Sequence, residues 1–426
     1  MIKDMIFQRE IDFQESPIGK IPKDWNVQQL GNKSIADIIA GQSPPSSTYN
    51  KENCGLPFLQ GKMEFGEMFP SPTTYCSDPI KVAEKSDILL SVRAPVGDVN
   101  VAPFECCVGR GLAAIRAKAD RLNHLFLFYY LIHGGKRFKA LSTGSTFKAI
   151  RRQEIEKFSI PLPSIKEQRN IVGVLGVVDL AIEKTGRVIA KTERLKKGLM
   201  QELLTKGIGH TECKYSKELG HQIPKEWQVV KLEDYAYIKG RIGWRGLKAS
   251  EYTEKGPYLI ANKHIINNKI AWEVCDHLSD FRYEESPEIQ LKTNDIIISK
   301  DGTIGEAAIV NYLPEKATIN STMMLIRVTN ENLAPNFLLY FYQGPGFRRF
   351  IGRKVSGTSI PHLFQRDMRN LSIALPPLQE QQQIMKILFA VDRKLELEFE
   401  GKAKLEKVKV SLMDLLLTGK VRAKVD

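Results

Sequence analysis

A mainly apolar stripe runs at alternating steps of four and three through residues 162–207, at Ile171, Leu175, Val178, Ile182, Thr185, Ile189, Thr192, Lys196, Leu199 and Leu203. This is the seam of a long helix that packs along a second helix. The same seam returns within residues 375–420, at Ile384, Leu388, Val391, Leu395, Glu398, Lys402, Leu405, Lys409, Leu412 and Leu416. Seven of the ten positions are apolar in each copy, and the middle of the second is polar. The copies hold register without a gap: Asp179 matches Asp392, Met200 matches Met413, and 392 − 179 = 413 − 200 = 213. A separation this long marks a duplicated unit, not a solenoid. A helix of about 40 residues is about 60 Å long. Two such stripes in one chain are expected to pair with each other, antiparallel.

Between the seams the period changes from helical to alternating. SDILLSVRAPVGDVNVA (86–102) predicts strand, turn at Gly97, strand, and NDIIISKDGTIGEAAIV (294–310) repeats it with Gly305 at the turn. LAAIRA (112–117) matches MMLIRV (323–328), which sets Arg116 opposite Arg327. Aromatic-rich stretches at 122–141 and 333–351 follow, each predicted as a helix whose aromatics are core, with Tyr129 matching Tyr340. GQSPPSSTYN (41–50), STGSTFKAI (142–150) and VSGTSIPHL (355–363) are loops on their Gly, Pro and hydroxyl content. Each copy opens on IPKDW or IPKEW, with Trp25 and Trp227 expected as buried boundary markers. Prolines at 161, 163, 376 and 377 close each globe before its long helix. The order is globe, long helix, globe, long helix.

Charge adds a partner class. Across 426 residues, Lys+Arg (62) exceed Asp+Glu (49), a formal charge of +13, which suits an anionic partner, most simply nucleic acid. Six cysteines without CxxC or Cys/His ligand spacing argue for a reducing compartment and against a disulfide framework or structural zinc. No apolar run approaches the ~20 residues of a membrane span, and the charged start MIKDMIFQRE is unlike a secretion signal. A cytoplasmic protein is expected. There is no GxxxxGK[ST] phosphate loop, and GGKR at 134–137 is too short to be one. There is also no Gly-rich turn followed by an NPP- or DPP-type tetrapeptide, and the histidines are scattered. A self-contained ATPase or adenine methyltransferase is therefore disfavoured, as is a metal site.

The paired IPKDW/IPKEW entries, DILLSVRAPVGDVNVA followed by VGRGLAAIR, and the LPSIKEQ/LPPLQEQ openings of helices ending LLTKG/LLTGK resemble the specificity subunit of type I restriction-modification enzymes. The resemblance covers nearly the whole chain. It implies an α+β fold in which two similar target recognition domains are separated by two long antiparallel, coiled-coil-like helices, a pseudo-twofold internal repeat. The expected division is 1–160 and 211–373 for the recognition domains, with 161–210 and 374–426 for the long-helix segments. Each globe would read one half of a split target in double-stranded DNA. The helices would fix the spacer and dock two modification (methyltransferase) subunits, with restriction (motor-nuclease) subunits joining. The chain itself would be non-catalytic and bind no cofactor, since S-adenosylmethionine, ATP and Mg belong to the partner subunits.

Affinity for DNA should come from Lys and Arg on phosphates, and specificity from a few side chains on base edges. Polar loops beside strands supply the candidates. In the first globe they are Gln42, Ser43, Gln60, Lys62, Arg93, Arg110 and Lys148. In the second they are Arg241, Arg245, Lys248, Asn262, Lys263, Lys300 and Ser359, with Trp244 as a stacking residue or, more simply, packing. The rival reading is a coiled-coil scaffold, unrelated to DNA, that recruits two copies of a partner protein.

Overall fold

The computed structural model describes residues 5–135, 137–138, 149–241, 247–355 and 362–425. The chain forms two compact units, one of residues 1–186 with 400–426 and one of residues 187–399. The division cuts both long helices, so each unit owns half of each. The fold is α+β, with two similar mixed domains and two long helices.

The first unit is built on a four-stranded antiparallel sheet in the order Val99–Val101, Ile88–Ser91, Leu112–Ala117, Ala36–Ala40. Ile88 to Ser91 are all buried, as a strand covered on both faces requires. The predicted strand–turn–strand is present: Ile88 pairs with Val101, and Gly97 occupies the turn at φ +92°. A second sheet places Leu56–Leu59 parallel to Cys106–Val108. Helix α1 (His124–His133) covers the first sheet with Phe126 to Leu131 buried. Asn123 caps it, accepting from the N–H groups of Leu125 and Phe126. Helix α2 (Ile165–Lys206) begins in this unit.

The second unit repeats the plan. Its sheet runs Ala236–Gly240, Met323–Val328, Ile296–Ser299, Ala307–Ile309, and Tyr252–Ile260 lies parallel to Ala317–Ile319. The aromatic stretch expected as one helix is two, α3 (Pro335–Gln343) and α4 (Pro345–Val355). Pro345 cannot donate to the turn before it, so the chain breaks at Gly344 and restarts with Pro at the first helical position. Helix α5 (Leu378–Leu417) begins in this unit and ends in the first.

Within each unit the helix halves run antiparallel. In the first, Asp179 pairs with Lys409 at 2.6 Å and Asn170 donates to the Ala423 carbonyl. In the second, Lys196 pairs with Asp392 at 2.6 Å. All twenty seam positions are buried or half-buried, whereas intervening residues such as Val177, Leu195, Leu397 and Val410 are exposed. Burying a Leu or Ile side chain contributes about 1.5–3 kcal/mol. The seam ends belong to the globe cores: Ile171, Leu175 and Leu416 to the first, and Leu203, Ile384 and Leu388 to the second.

Candidate nucleic-acid interface

Two layers of residues make the site in each unit, a frame that seats the globe on its helices and a loop edge that carries the polar candidates.

The frame explains the repeated IPxxW and LPxxxEQ signatures. Trp25 is 1 % exposed, and its indole N–H donates to Glu167 Oε2 at 3.1 Å. Trp227 is fully buried and donates to Glu380 Oε2 at 2.9 Å. The next residue of each motif is a buried glutamine. Gln168 accepts from the Asn123 N–H and donates to the carbonyls of Arg121 and Pro163. Gln381 accepts from the Ala334 N–H and donates to the carbonyls of Asn332 and Pro376. One side chain thus saturates the backbone before the covering helix and ties it to the start of the long helix. Further along, Tyr129 donates to Asp179 at 2.7 Å and Tyr340 to Asp392 at 2.8 Å. The same two carboxylates hold Lys409 and Lys196, which sequence alone gives as interruptions of the seam. Inside each sheet the matched arginines are structural. Arg116 chelates Asp87 and Arg327 chelates Asp295, and those hydrogen bonds push both guanidinium pKa values up.

At the loop edge of the first unit the backbone is drawn tight. The Gly41 N–H donates to the Leu112 carbonyl, Gln42 to Val108, and Gly109 to Leu59. A Cβ on Gly41 would lie 2.2 Å from the Gly109 carbonyl oxygen, and one on Gly111 2.2 Å from that of Gln60, so only glycine lets these loops meet. Ser43 Oγ accepts from the Arg110 N–H at 3.1 Å, and the Val92 N–H donates to the Gly111 carbonyl. The fold therefore brings Gln42, Ser43, Gln60, Arg93 and Arg110 to one edge, with all but half-buried Ser43 exposed. Lys62 lies just beyond Gln60 and is paired with Asp98 at 2.7 Å. Lys148 lies outside the described residues.

The second unit holds the equivalent edge with different chemistry. The Asn320 N–H donates to the Ile260 carbonyl and Lys300 to Thr322, so Asn262 and Lys300 come together there. Asn262 Nδ2 donates to Thr303 Oγ1 at 2.7 Å, and Lys300 Nζ lies 3.8 Å from the position of a Cβ on Gly240. Arg241 departs from the expectation of a surface contact. It is 4 % exposed, with Nε donating to the Ile319 carbonyl and Nη1 to Ser286 Oγ, and burial pushes its pKa down. Buried guanidinium groups with such partners hold structure, because reaching DNA would require unpacking them. Lys263 is exposed but paired with Asp276 at 2.9 Å. Lys248 is exposed in the loop before Ala249–Glu251, where its N–H donates to Glu251. Trp244, Arg245 and Ser359 lie outside the described residues.

Sequence reasoning passes over Glu167, Glu380, Gln168, Gln381 and Arg422 as functional positions. The signal for the first four was present in the doubled EQ pair, whose two polar side chains open otherwise amphipathic helices. Arg422 has no counterpart in the repeat and no such signal. Among the described residues there is no group of His, Cys, Asp and Glu able to hold a metal ion, and no helix is long and apolar enough to cross a membrane.

A duplicated mixed domain with a polar loop edge, seated on antiparallel helices, defines a paired recognition module. The profile of the type I restriction modification DNA specificity domain matches residues 22–193 and 224–407, and the chain belongs to that family. It is 26 % identical over 428 residues to the type I restriction enzyme MjaVIII specificity subunit of Methanocaldococcus jannaschii, covering 100 % of this chain and 99 % of that one. A stretch of 193 residues, 45 % of either chain, is 49 % identical to a candidate specificity subunit, MjaX, of the same organism. The crystal structure of the type I S subunit from M. genitalium superposes with a TM-score of 0.56 at 17 % identity, over 92 % of this chain and 96 % of that one, which shows the shared fold. The chain is thus a DNA-recognition subunit of a type I restriction-modification system, and catalysis in such systems lies in partner subunits.

Proposed function

We propose that each unit reads one half of a bipartite duplex DNA target and that the paired helices hold the two readings at a fixed spacing. The observation that carries this reading is the repeated loop edge. Both units bring loops from the same topological positions together, yet fill them differently, with Gln42, Gln60, Arg93 and Arg110 in one and Asn262 and Lys300 in the other. Arg is suited to guanine, and Asn and Gln to adenine, through paired hydrogen bonds in the major groove. Different side chains on one frame suit two different half-sites. Asn262 and Lys300 replace Arg241 as leading candidates in the second unit, with Lys248 beside them.

The helices carry exposed apolar side chains that no globe covers, among them Val177, Leu195, Phe389, Leu397, Phe399 and Val410. Exposed apolar side chains on otherwise charged helices suit a permanent protein partner. We assign it to two modification (methyltransferase) subunits, with restriction (motor-nuclease) subunits joining that core in the cytoplasm. Methyl transfer from S-adenosylmethionine and Mg-dependent ATP use are assigned to those partners.

Methylome sequencing of a host expressing the methyltransferase partner, with and without this chain, tests the reading. Loss of a split, adenine-methylated motif when the chain is removed is expected. An unchanged methylome would overturn it.

A further inference from the structure

One long basic segment is not used by the loop edge. Residues 332–366 contain no Asp or Glu in 35 positions and carry Arg348, Arg349, Arg353, Lys354 and Arg366. The matching stretch of the first copy, residues 121–153, is also free of acids over 33 positions and holds seven Lys and Arg. In the second unit this segment contains α4, and its two faces are opposite in character. Phe347 is fully buried, and Phe350 and Ile351 pack on the core beside it. Arg348, Arg349, Gly352 and Arg353 fall on the other face and are exposed. Among the described residues no carboxylate pairs with Arg348 or Arg349. A Cβ on Gly352 would meet nothing within 4 Å, so this face is open between the arginines.

The helix also adjoins the candidate loop edge. The hairpin turn after Lys300 sits on α4 at Gly305, which has φ +88° and whose hypothetical Cβ would lie 2.3 Å from Ile351 Cδ1. The Leu363 N–H, just past α4, donates to the Lys300 carbonyl. The basic face and the candidate edge are therefore neighbours within one unit, and, among the described residues, no carboxylate pairs with Arg348 or Arg349, while Lys354 at the end of the helix is paired with Asp367 at 3.1 Å.

We infer that the exposed face of α4 is a phosphate-contacting surface, in which Arg348 and Arg349 hold the sugar–phosphate backbone of duplex DNA beside the bases read from the Lys300 and Asn262 loops. This rests on the DNA-recognition reading above and adds a residue set that orients the duplex without reading it. Guanidinium groups on a rigid helix suit this part, because they bind phosphate through paired N–H donors. Phosphate contacts fix register and weaken uniformly across sequences when lost.

The test is a salt titration of binding, using the chain assembled with its methyltransferase partner and a mixed-sequence duplex of about 40 base pairs. Each phosphate contact contributes about −0.9 to the slope of log K against log salt. Arg348→Gln with Arg349→Gln should flatten the slope by about 1.8 and leave the methylated motif unchanged. Arg348→Lys with Arg349→Lys should recover most of that slope, which loss of folding would not allow. Binding by the wild-type complex with a slope that the Gln variant does not change would overturn the assignment of α4 alone. A changed methylation motif would reassign these residues to base reading and also overturn it. Absence of salt-dependent binding by the wild-type complex would overturn both this inference and the reading beneath it.

Discussion

Trp25 and Trp227 occupy matching places, and each gives its indole N–H to a glutamate that opens a long helix. The side chain that meets that glutamate differs. In the first unit it is Arg422, 3 % exposed, which donates twice to Glu167 at 2.8 Å, twice to Asp24, and once to Glu10. Arg422 lies on the strand Val421–Val425, which pairs antiparallel with Met5–Arg9. In the second unit His210 Nε2 lies 2.8 Å from Glu380 Oε1, and the Ile208 N–H donates to the same oxygen. The duplication keeps the indole–carboxylate bond because that bond sets each helix on its globe. The partner of the carboxylate follows the path of the chain. The first unit must be closed by a strand about 400 residues distant in sequence, and it uses a fork-shaped donor shared by three carboxylates. The second needs only the turn that follows α2, where one imidazole and one backbone N–H suffice.

Removing the carboxylate from each clamp should break this comparison most visibly. Glu167→Ala leaves Arg422 buried beside only Glu10 and Asp24, and breaking such a pair costs about 3–5 kcal/mol. Hydrogen exchange should then show faster opening of residues 5–9 and 421–425, with the second unit unaffected. Glu380→Ala removes the acceptor for Trp227, Ile208 and His210, and should cost about 1–3 kcal/mol, read as faster exchange confined to the second unit. Equal losses in both units from either variant would contradict independent clamps.

The tyrosine bonds are the symmetric control. Tyr129→Phe and Tyr340→Phe each remove one hydroxyl–carboxylate bond and should cost similar amounts, about 0.5–1.5 kcal/mol by denaturant titration. A cost confined to one unit would show that the repeat is not energetically symmetric there.

The smallest effect concerns acid. The Glu10 carboxyl is held below its ordinary value first by the Asp12 backbone N–H and then by Arg422. A depressed carboxyl stabilises the fold above the ordinary carboxylate range, and the contribution is lost as pH falls below that range and through its lowered folded value. Glu10→Gln should therefore narrow the difference in melting temperature between neutral and acid solution for the first unit. No narrowing would remove Glu10 from the clamp.

The helices and the strand–turn–strand repeats were legible because they rest on periodicity, which survives any tertiary detail. The seam positions and Gly97 and Gly305 are of this kind. The break at Pro345 was written in the sequence as Gly-Pro, but an aromatic helical period runs across it and hides it. Arg241 looked like a surface cation because its neighbours are basic and polar. Its burial depends on Ile319 and Ser286, which are distant in sequence. Lys196 and Lys409 read as flaws in an apolar stripe, since nothing local reveals that each faces an aspartate on the other helix. The meeting of Gln42, Gln60 and Arg110 depends on contacts between three glycine-rich loops, which no local pattern encodes.

Under the proposed function the helix pair sets the distance between two independent readings. Inserting seven residues into both helices at once, after Gly186 and after Phe399, where the two units divide, puts that spacing to the test. Matched heptads keep the seam in register and lengthen it by about 10 Å, close to three base pairs at 3.4 Å each. Methylome sequencing should then return the same two half-sites with a spacer longer by about three base pairs. An unchanged spacer, or altered half-sites, would contradict the account.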